Sequence, residues 1–148
     1  MKLGLKKSKT FSDKTGSLIP FYKKKSLENF NINRFFFVYG NKKYFRADHA
    51  HKKCNQILIP VFGKIEVEIL NKKKIKKKYQ LNFNNKNYLL VPKLHWIKLK
   101  FKEKNSILLT LCDYKYDKKE YMQSKKEFYK FWKISWNVEL VKKNARYF

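Results

Sequence analysis

The sequence predicts an all-β domain, an antiparallel sandwich or barrel, that carries a short helix near its C-terminal end. Short apolar segments rich in aromatic and β-branched residues recur about every 8–12 residues with polar turns between them, which is typical of such folds. Hydrophobic residues make up 43% of the 148 residues, enough to bury a core in a chain of this length. We expect one domain over residues 1–148, with a core at about 14–128 and a C-terminal extension at 129–148.

The predicted strands are short runs that either alternate apolar with polar residues or are apolar throughout. They cover residues 17–22, 34–39, 43–51, 56–61, 64–70, 75–83, 88–91, 95–101 and 107–112. Pro20 places the first strand at a sheet edge or a bend, because proline cannot donate to a strand ladder. The second, Arg34–Tyr39 (RFFFVY), ends at Gly40-Asn41, a hairpin turn candidate. The fourth is apolar enough to be buried, and Gly63 after it marks a turn into the alternating fifth.

A change of pattern after Asp113 predicts the helix. Tyr121, Phe128 and Trp132 stand among Lys and Glu at spacings suited to a helix over residues 118–132. We expect this helix to pack on the barrel through its aromatic side chains. The remaining tail, which includes a further tryptophan, Trp136, carries no assignment.

The net charge of +26 comes from 37 basic residues, of which only Arg34, Arg46 and Arg146 are arginines. Proteins that read nucleic acids depend on arginine for bidentate contacts to bases and phosphates. A combined excess of Lys, Asn, Ile, Phe and Tyr is instead what an AT-rich genome favours. We therefore predict no nucleic-acid partner, and a nucleic-acid-binding basic protein remains an alternative. The positive field would favour capture of a small anionic substrate.

The absence of long apolar runs argues against a membrane protein. No apolar run approaches the length needed to cross a bilayer, and the first residues lack the apolar segment of a signal peptide. The 2 cysteines, Cys54 and Cys112, are widely separated and are expected to be free thiols in a reducing compartment. These observations predict a cytoplasmic protein with no membrane partner.

Two histidines one residue apart form the clearest functional motif, within the segment Arg46–Gly63 (RADHAHKKCNQILIPVFG). Side chains alternate between the faces of a strand, so His49 and His51 project from one face about 7 Å apart and can reach one small ligand. The pattern H-x-H-x4-Q-x6-G resembles the first signature of the cupin superfamily, with Gln56 where a metal-binding Glu usually stands. The resemblance implies a cupin-type antiparallel jelly-roll barrel.

The second cupin signature, P-x-G-x2-H, would begin at Pro92. In that register Leu94 replaces the glycine and Ile97 replaces the last histidine ligand, while His95 lies two residues earlier on the strand. Two imidazoles and an amide are poor metal ligands. We therefore predict no metal and no other cofactor, with the histidines freed for proton transfer. A metal held by His95 and the histidine pair remains an alternative.

When residues outside the histidine motif are included, the sequence resembles one particular group within the cupin superfamily. The chain resembles the dTDP-4-oxo-6-deoxyglucose 3,4-ketoisomerases, a WxcM-like group of cupins, at Gly16–Leu18, Arg34–Tyr39, Arg46, His49–Lys53, Gln56 and Leu111–Asp117, and at Glu120-Tyr121 and Glu127-Phe128 beyond it. One departure follows Arg46, where the family usually has glycine and this chain has Ala47-Asp48.

The resemblance implies a metal-independent isomerase that moves the keto group of a dTDP-linked 6-deoxyhexose from C4 to C3 through an enediol. The product would feed an aminotransferase that makes a dTDP-3-amino-3,6-dideoxyhexose for surface glycans. The resemblance also implies a domain-swapped homodimer that exchanges N-terminal strands. A cupin that binds a nucleotide sugar without converting it remains an alternative.

Such a reaction needs a base and donors to the enediolate oxygen. Imidazole, which titrates near pH 6.5 when unperturbed, suits the first role. We assign proton abstraction at C3 and its return at C4 to His49. His51 would manage the O3 and O4 protons or orient the sugar ring. Tyr39, expected on the adjacent strand, is a candidate phenolic donor to the oxyanion, although its segment can also be core.

Four further residues are candidates for substrate binding. A rigid guanidinium fork suits phosphate oxygens, so Arg46 is assigned to the diphosphate, with a structural ion pair to Asp48 as the alternative. Gln56 could hydrogen-bond the sugar or fix the tautomer of a histidine. Arg34 and His95 complete the predicted set of substrate contacts.

Overall fold

The computed structural model describes residues 1–21 and 27–144, without the side chains of residues 135–144. The strands in this part of the chain are β1 (Gly4–Lys7), β2 (Phe11–Asp13), β3 (Gly16–Leu18), β4 (Arg34–Tyr39), β5 (Phe45–His51), β6 (Gln56–Phe62), β7 (Lys64–Leu70), β8 (Lys76–Asn82), β9 (Asn87–Val91), β10 (Trp96–Phe101), β11 (Ile107–Cys112) and β12 (Tyr121–Met122). The helix α1 (Lys125–Asn144) follows them. The tail at 145–148 and the side chain of Trp136, for which the sequence offered no assignment, lie outside the described residues.

Two five-stranded sheets face each other and form the sandwich. Sheet I has the strand order β1-β9-β6-β11-β4, and sheet II has the order β12-β5-β10-β7-β8. β2 and β3 form a separate two-stranded sheet. The ladders of both large sheets are antiparallel. This architecture confirms the predicted all-β antiparallel fold.

The core lies between the sheets and is built from alternate residues of their strands. In β7, Ile65, Val67 and Ile69 are buried, whereas Glu66 and Glu68 lie on the opposite face and pair with lysines. This period of two is typical of a half-buried strand. Apolar residues of β4, β6, β8, β9, β10 and β11 complete the same cluster. The inner faces of the two sheets therefore form a rigid scaffold for any side chain that projects between them.

The N-terminal region departs from the prediction. β1 and β2 are not predicted, because their lysine-rich sequences lack a sustained alternation of apolar and polar residues. β1 forms because its main chain pairs with β9, with Gly4 opposite Leu90, and not because of its own side-chain pattern. The strand expected over residues 17–22 is the shorter β3, and the end of the expected segment, Tyr22, lies outside the described residues.

The predicted helix begins later than expected and runs further. Residues 118–120 form a 3-10 turn and β12 follows it, so the helix prediction over 118–132 is wrong in its first turns. α1 begins at Lys125 and continues to Asn144, through much of the extension that carried no assignment. The other strands differ from their predicted bounds by one or two residues at most.

A hydrogen-bonded cap fixes the start of α1. Ser124 Oγ accepts a hydrogen bond from the main-chain N–H of Glu127 at 3.1 Å, and the Glu127 carboxylate accepts one from Gln123 N at 3.1 Å. Ser-x-x-Glu is a sequence signal for a helix N-terminus. Beyond the cap, Phe128 packs against Met122 of β12 on the outer side of sheet II. No helix in the described part of the chain has both the length and the apolar character that crossing a bilayer requires.

Candidate active site

A cavity of about 290 Å³ lies between the inner faces of the two sheets. Its lining combines apolar side chains with a few polar groups that converge on the same space. The lining residues are Phe36, Val38, Arg46, Ala47, His49, His51, Gln56, Leu58, Ile97, Leu99, Thr110 and Tyr121. Such a pocket is the usual form of a small-molecule site.

β5 supplies much of the polar lining, and a bulge in this strand decides which of its side chains face the cavity. Arg46 and His49 are three residues apart, and in a regular strand an odd spacing places side chains on opposite faces. The ladder between β5 and β10 shifts after the pair His49–Ile97, which leaves Asp48 as an extra residue. The guanidinium and the imidazole therefore both line the cavity.

The bulge has a left-handed backbone at two consecutive residues, Ala47 (φ 65°) and Asp48 (φ 62°). This conformation costs a non-glycine residue about 1–2 kcal/mol, because Cβ crowds the following carbonyl oxygen. Trp96 Nε1 donates to Asp48 Oδ1 at 2.9 Å, and Lys98 Nζ lies 3.4 Å from Asp48 Oδ2. Asp48 therefore pairs with Lys98, and not with Arg46 as the alternative interpretation required.

His49 and His51 project from the same face of β5, as the alternation of a strand predicts. Their Nε2 atoms are 3.2 Å apart, and the rings are nearly perpendicular with centroids 4.9 Å apart. At this distance one hydrogen bridges the two ring nitrogens, so that one ring donates and the other accepts. A proton taken up by one imidazole can therefore be shared with the other.

A carboxylate holds His51 from the side opposite His49. Nδ1 of His51 is hydrogen-bonded to Oε1 of Glu120, and both side chains are buried. Burial alone would raise the pKa of Glu120, but hydrogen bonds from His51 and from main-chain N–H groups outweigh it and lower that pKa. An ionised carboxylate only accepts, so Nδ1 of His51 carries a hydrogen and Nε2 is the atom that faces His49.

The electrostatic surroundings keep His49 neutral. Burial, which disfavours the imidazolium, is the largest cause that lowers the pKa of His49 to about 4, and the neighbouring His51 is the next. A hydrogen bond to the main chain of Ala47 and the charge of Glu120 act in the opposite direction. At neutral pH, His49 is therefore an unprotonated ring that can accept a proton.

A phenol completes the polar side of the cavity. Tyr121 lies in β12, directly opposite His51 of β5, and its ring centroid is 4.4 Å from that of His51 and 5.0 Å from that of His49. Arg34 Nη2 donates to the Tyr121 hydroxyl oxygen at 2.9 Å. Burial raises the pKa of Tyr121 against the opposing effect of Arg34, so the phenol stays protonated at neutral pH.

Glu120 and Tyr121 belong to the site but are not among the site residues that the sequence predicts. Glu120 is 69 residues from His51 along the chain, and no local spacing connects the two. The available signal was indirect, because both residues stand in the C-terminal segment that resembles the ketoisomerases. The sequence instead predicts Tyr121 in a helix that packs on the barrel, whereas the structure has it in β12.

Several predicted site residues meet in the cavity, and one lies just behind it. The cavity brings together His49, His51, Arg46 and Gln56. Gln56 is buried and its Nε2 donates to Cys112 Sγ at 3.8 Å, so this amide bonds a thiol and not a histidine. Arg34 does not line the cavity, and its guanidinium contacts the site through Tyr121.

The structure places two predicted site residues, Tyr39 and His95, outside the cavity. Tyr39 is 70% exposed on the outer face of β4, because Phe36 and Val38 are the residues of that strand that face the cavity. β4 belongs to sheet I and β5 to sheet II, so the two strands are not neighbours although they are consecutive in the chain. His95 precedes β10 and does not line the cavity, and its Nδ1 donates to the carbonyl oxygen of Lys93 at 3.2 Å.

Among the described residues, His51, Cys54 and Glu120 form a group whose ligand atoms lie within 4.8 Å of one another. Its chemistry suits a metal poorly. Nδ1 of His51 is already bonded to Glu120. The hydrogen bond with the Cys112 thiol, together with burial, raises the pKa of Cys54 and disfavours the thiolate that a metal requires. His95 is not part of this group, so the alternative metal site lacks its third histidine.

Comparisons with known proteins relate this site to sugar isomerases. A model of the family described as WxcM-like, C-terminal (FdtA) matches residues 1–133. Among curated proteins no match is found. Solved structures do match, and they confirm the cupin-type jelly roll.

Three of these structures cover most of the chain. The TDP-fucose-3,4-ketoisomerase WlaRA of Campylobacter jejuni is 31% identical, with a TM-score of 0.75 over 88% of this chain and 96% of that chain. A 3,4-ketoisomerase from Helicobacter canadensis is 27% identical, with a TM-score of 0.78 over 88% and 97%. QdtA, a sugar 3,4-ketoisomerase from Thermoanaerobacterium thermosaccharolyticum in complex with TDP, is 26% identical, with a TM-score of 0.76 over 86% and 92%.

Proposed function

This chain belongs to the WxcM-like, C-terminal family, and from that premise we propose that it is a sugar 3,4-ketoisomerase, which moves the keto group of dTDP-4-oxo-6-deoxyglucose from C4 to C3. The observation that carries the proposal is the pair of imidazoles, 3.2 Å apart, in a cavity between the sheets. The names of the similar structures supply the substrate class, since they are 3,4-ketoisomerases and one of them is bound to TDP.

The reaction begins with removal of the C3 proton, which the neighbouring C4 carbonyl acidifies. His49 suits this role because it lines the cavity and is unprotonated at neutral pH. Loss of this proton together with protonation of O4 gives an enediol, in which C3 and C4 share one double bond. The same imidazole can then return the proton to C4, since the two carbons are adjacent. A second group must give a proton to O4 and take one from O3.

The His51–Glu120 pair supports this base at the moment of transfer. A ring with a pKa of about 4 holds a proton weakly on its own. Once His49 is protonated, its Nε2 hydrogen points at Nε2 of His51, and the Glu120 carboxylate lies on the far side of that second ring. The proton is therefore shared along a buried chain that ends in a negative charge, which stabilises the protonated state.

Arg46 is our proposed contact for the diphosphate. The bulge turns its guanidinium to the same face as His49, and Arg46 makes no ion pair with any described residue, so its donors are available. A guanidinium fork matches phosphate oxygens. The net charge of +26 adds a field that attracts a dianionic nucleotide sugar. Gln56, on the opposite sheet, is proposed to contact the sugar.

The product would carry its ketone at C3. An aminotransferase that replaces this ketone with an amine gives a dTDP-3-amino-3,6-dideoxyhexose, and we assign the enzyme to the synthesis of such sugars for surface glycans. We place the reaction in the cytoplasm, where nucleotide sugars are made.

We further propose that the protein is a homodimer that exchanges N-terminal strands. The outer face of β4 exposes a row of aromatic side chains, Phe35 (63%), Phe37 (50%) and Tyr39 (70%). Contiguous apolar patches of this kind mark interaction surfaces. A second copy of the chain would cover this face of sheet I. β1 is the opposite edge strand of the same sheet, so its exchange between copies would preserve the ladder with β9.

Incubation with dTDP-4-oxo-6-deoxyglucose in heavy water, followed by NMR, tests the function. We expect a new 3-oxo product with solvent deuterium at C3 or C4. His49→Asn should abolish turnover while dTDP binding, measured by calorimetry, stays within about twofold of wild type, because the base does not contact the nucleotide. Wild-type rates in this variant would refute the assignment of the base. Binding of the sugar without any 3-oxo product would instead identify a non-catalytic binding protein.

A further inference from the structure

The proposed reaction needs a residue for the O3 and O4 protons. His51, the candidate that the sequence offers, has Nδ1 bonded to Glu120 and Nε2 bonded to His49, so neither ring nitrogen is left for the sugar oxygens. An enediol intermediate requires a group that gives a proton to O4 and accepts one from O3. The phenol that the sequence singled out, Tyr39, faces away from the cavity. We propose that Tyr121 is this proton shuttle and that Arg34 is the positioning residue that holds its phenol and stabilises the phenolate. This inference rests on the ketoisomerase function proposed above.

The position of Tyr121 gives its phenol access to the same space as the base. Tyr121 lines the cavity, and its ring is in contact with both imidazoles, at centroid distances of 4.4 Å to His51 and 5.0 Å to His49. A sugar with C3 next to His49 therefore has its C3 and C4 oxygens close to Tyr121. The two oxygens of an enediol are adjacent, so one phenol can serve both.

The hydrogen bonding of Tyr121 leaves its proton free. The hydroxyl oxygen accepts a bond from Arg34 Nη2 at 2.9 Å, and among the described residues it donates to none. A phenol has one hydrogen to donate, and here that hydrogen is available to the cavity. Burial keeps the phenol protonated before the reaction begins, so it starts the cycle as an acid.

Arg34 is placed to act through Tyr121 and not on the substrate. It lies at the start of β4 in sheet I, whereas Tyr121 lies in β12 of sheet II, so this hydrogen bond joins the two sheets. The guanidinium lies 5.4 Å from the ring centroids of both Phe36 and Tyr116. Its Nε is buried without a hydrogen-bond partner in the described part of the chain. An arginine placed only for stability would avoid that cost.

The proton transfers balance without any further reactant. His49 takes the C3 proton, the C3–H electron pair forms the C3–C4 double bond, and the carbonyl π pair moves to O4, which receives the phenol proton. The Tyr121 phenolate, beside the Arg34 cation, then takes the proton from O3. The O3–H pair forms the C3 carbonyl as the double-bond pair takes the proton from His49 at C4. Both residues end the cycle in their starting states.

The test compares Tyr121→Phe, Arg34→Lys and the double variant with wild type. Phe keeps the ring contacts with the histidines and removes only the hydroxyl. We expect kcat of Tyr121→Phe to fall by about 10²–10³, as on removal of an oxyanion donor, while KM and dTDP affinity stay within about twofold. Tyr79→Phe, on β8 at the opposite edge of sheet II, is the matched control and should keep wild-type kcat.

The double variant tests the positioning role. If Arg34 acts through the phenol, Arg34→Lys lowers kcat alone but adds no further loss to Tyr121→Phe. A multiplied loss would show that Arg34 contacts substrate independently and would overturn its positioning role. Wild-type kcat in Tyr121→Phe would overturn the shuttle while leaving the ketoisomerase function intact. A wild-type protein that forms no 3-oxo product would refute the function itself, and the shuttle with it.

Discussion

Two alanines of one strand should respond in opposite directions to the same substitution. Ala47 has a left-handed backbone (φ 65°) at the bulge of β5, whereas Ala50, three residues later, has an ordinary extended one. Replacement of Ala47 by glycine removes the contact between Cβ and the following carbonyl oxygen that makes this conformation unfavourable. We expect Ala47→Gly to stabilise the protein and Ala50→Gly to destabilise it.

The expected gain at Ala47 follows from two opposing effects. The left-handed conformation costs alanine about 1–2 kcal/mol, and glycine avoids this cost. Glycine also increases the conformational entropy of the unfolded chain, which offsets about 0.4–1 kcal/mol. The Ala47 methyl group is exposed, so little packing is lost. The free energy of unfolding should therefore rise by about 0.5–1 kcal/mol, which corresponds to about 1–4 °C in Tm for a domain of this size.

Ala50→Gly is the matched control. Its methyl group is fully buried beside Trp96 and Phe128, so the substitution loses both packing and chain stiffness and should lower the free energy of unfolding by about 1–2 kcal/mol. Urea denaturation of wild type and both variants measures the effects. If Ala47→Gly destabilised the protein as much as Ala50→Gly does, the left-handed bulge would be absent in solution, and with it the reason why Arg46 and His49 share a face.

Two further predictions concern pH and assembly. The pKa of His49 is about 4 in the folded protein and near 6.5 in the unfolded chain, so above pH 6.5 the ring is neutral in both states. As the pH falls from 6.5 towards 4, the unfolded chain binds a proton at this ring and the folded protein does not, so the free energy of unfolding decreases. Wild type should therefore lose more stability than His49→Asn between pH 7 and pH 5 in urea denaturation, and equal losses would contradict the depressed pKa. Phe37→Glu should convert the proposed dimer to monomers in sedimentation velocity, whereas Lys77→Glu, exposed on the other sheet, should not. A wild-type monomer at the same concentrations would refute the dimer.

The histidine pair could be predicted because its geometry depends only on the alternation of side chains along one strand. Arg46 is different. Alternation alone places it on the face opposite His49, and only the extra residue Asp48 turns both side chains into the cavity. The sequence carried a sign of this bulge, since the family usually has glycine where this chain has Ala47, but a propensity scale gives no reason to expect a left-handed alanine.

The residues that were missed or misplaced depend on long-range order. Consecutive strands are often neighbours, which predicts Tyr39 beside the histidines, but β4 and β5 lie in different sheets. Glu120 and Tyr121 reach the histidines through β12, a strand of 2 residues, which is too short to have a recognisable period. Sequence patterns that describe one element at a time cannot report contacts between residues so far apart in the chain.

The packing of α1 on β12 links the chemistry to a part of the chain that lies outside the sandwich. β12 meets β5 through the pairs Tyr121–His51 and Met122–Ala50, and Phe128 of the helix buries Met122 from the other side. The core cluster between the sheets contains no described residue of the helix, so we expect loss of the helix to act first on the short segment that carries the carboxylate and the phenol. Turnover should therefore depend on α1, although no described side chain of this helix lines the cavity, and we expect substitutions on its buried side to lower the rate.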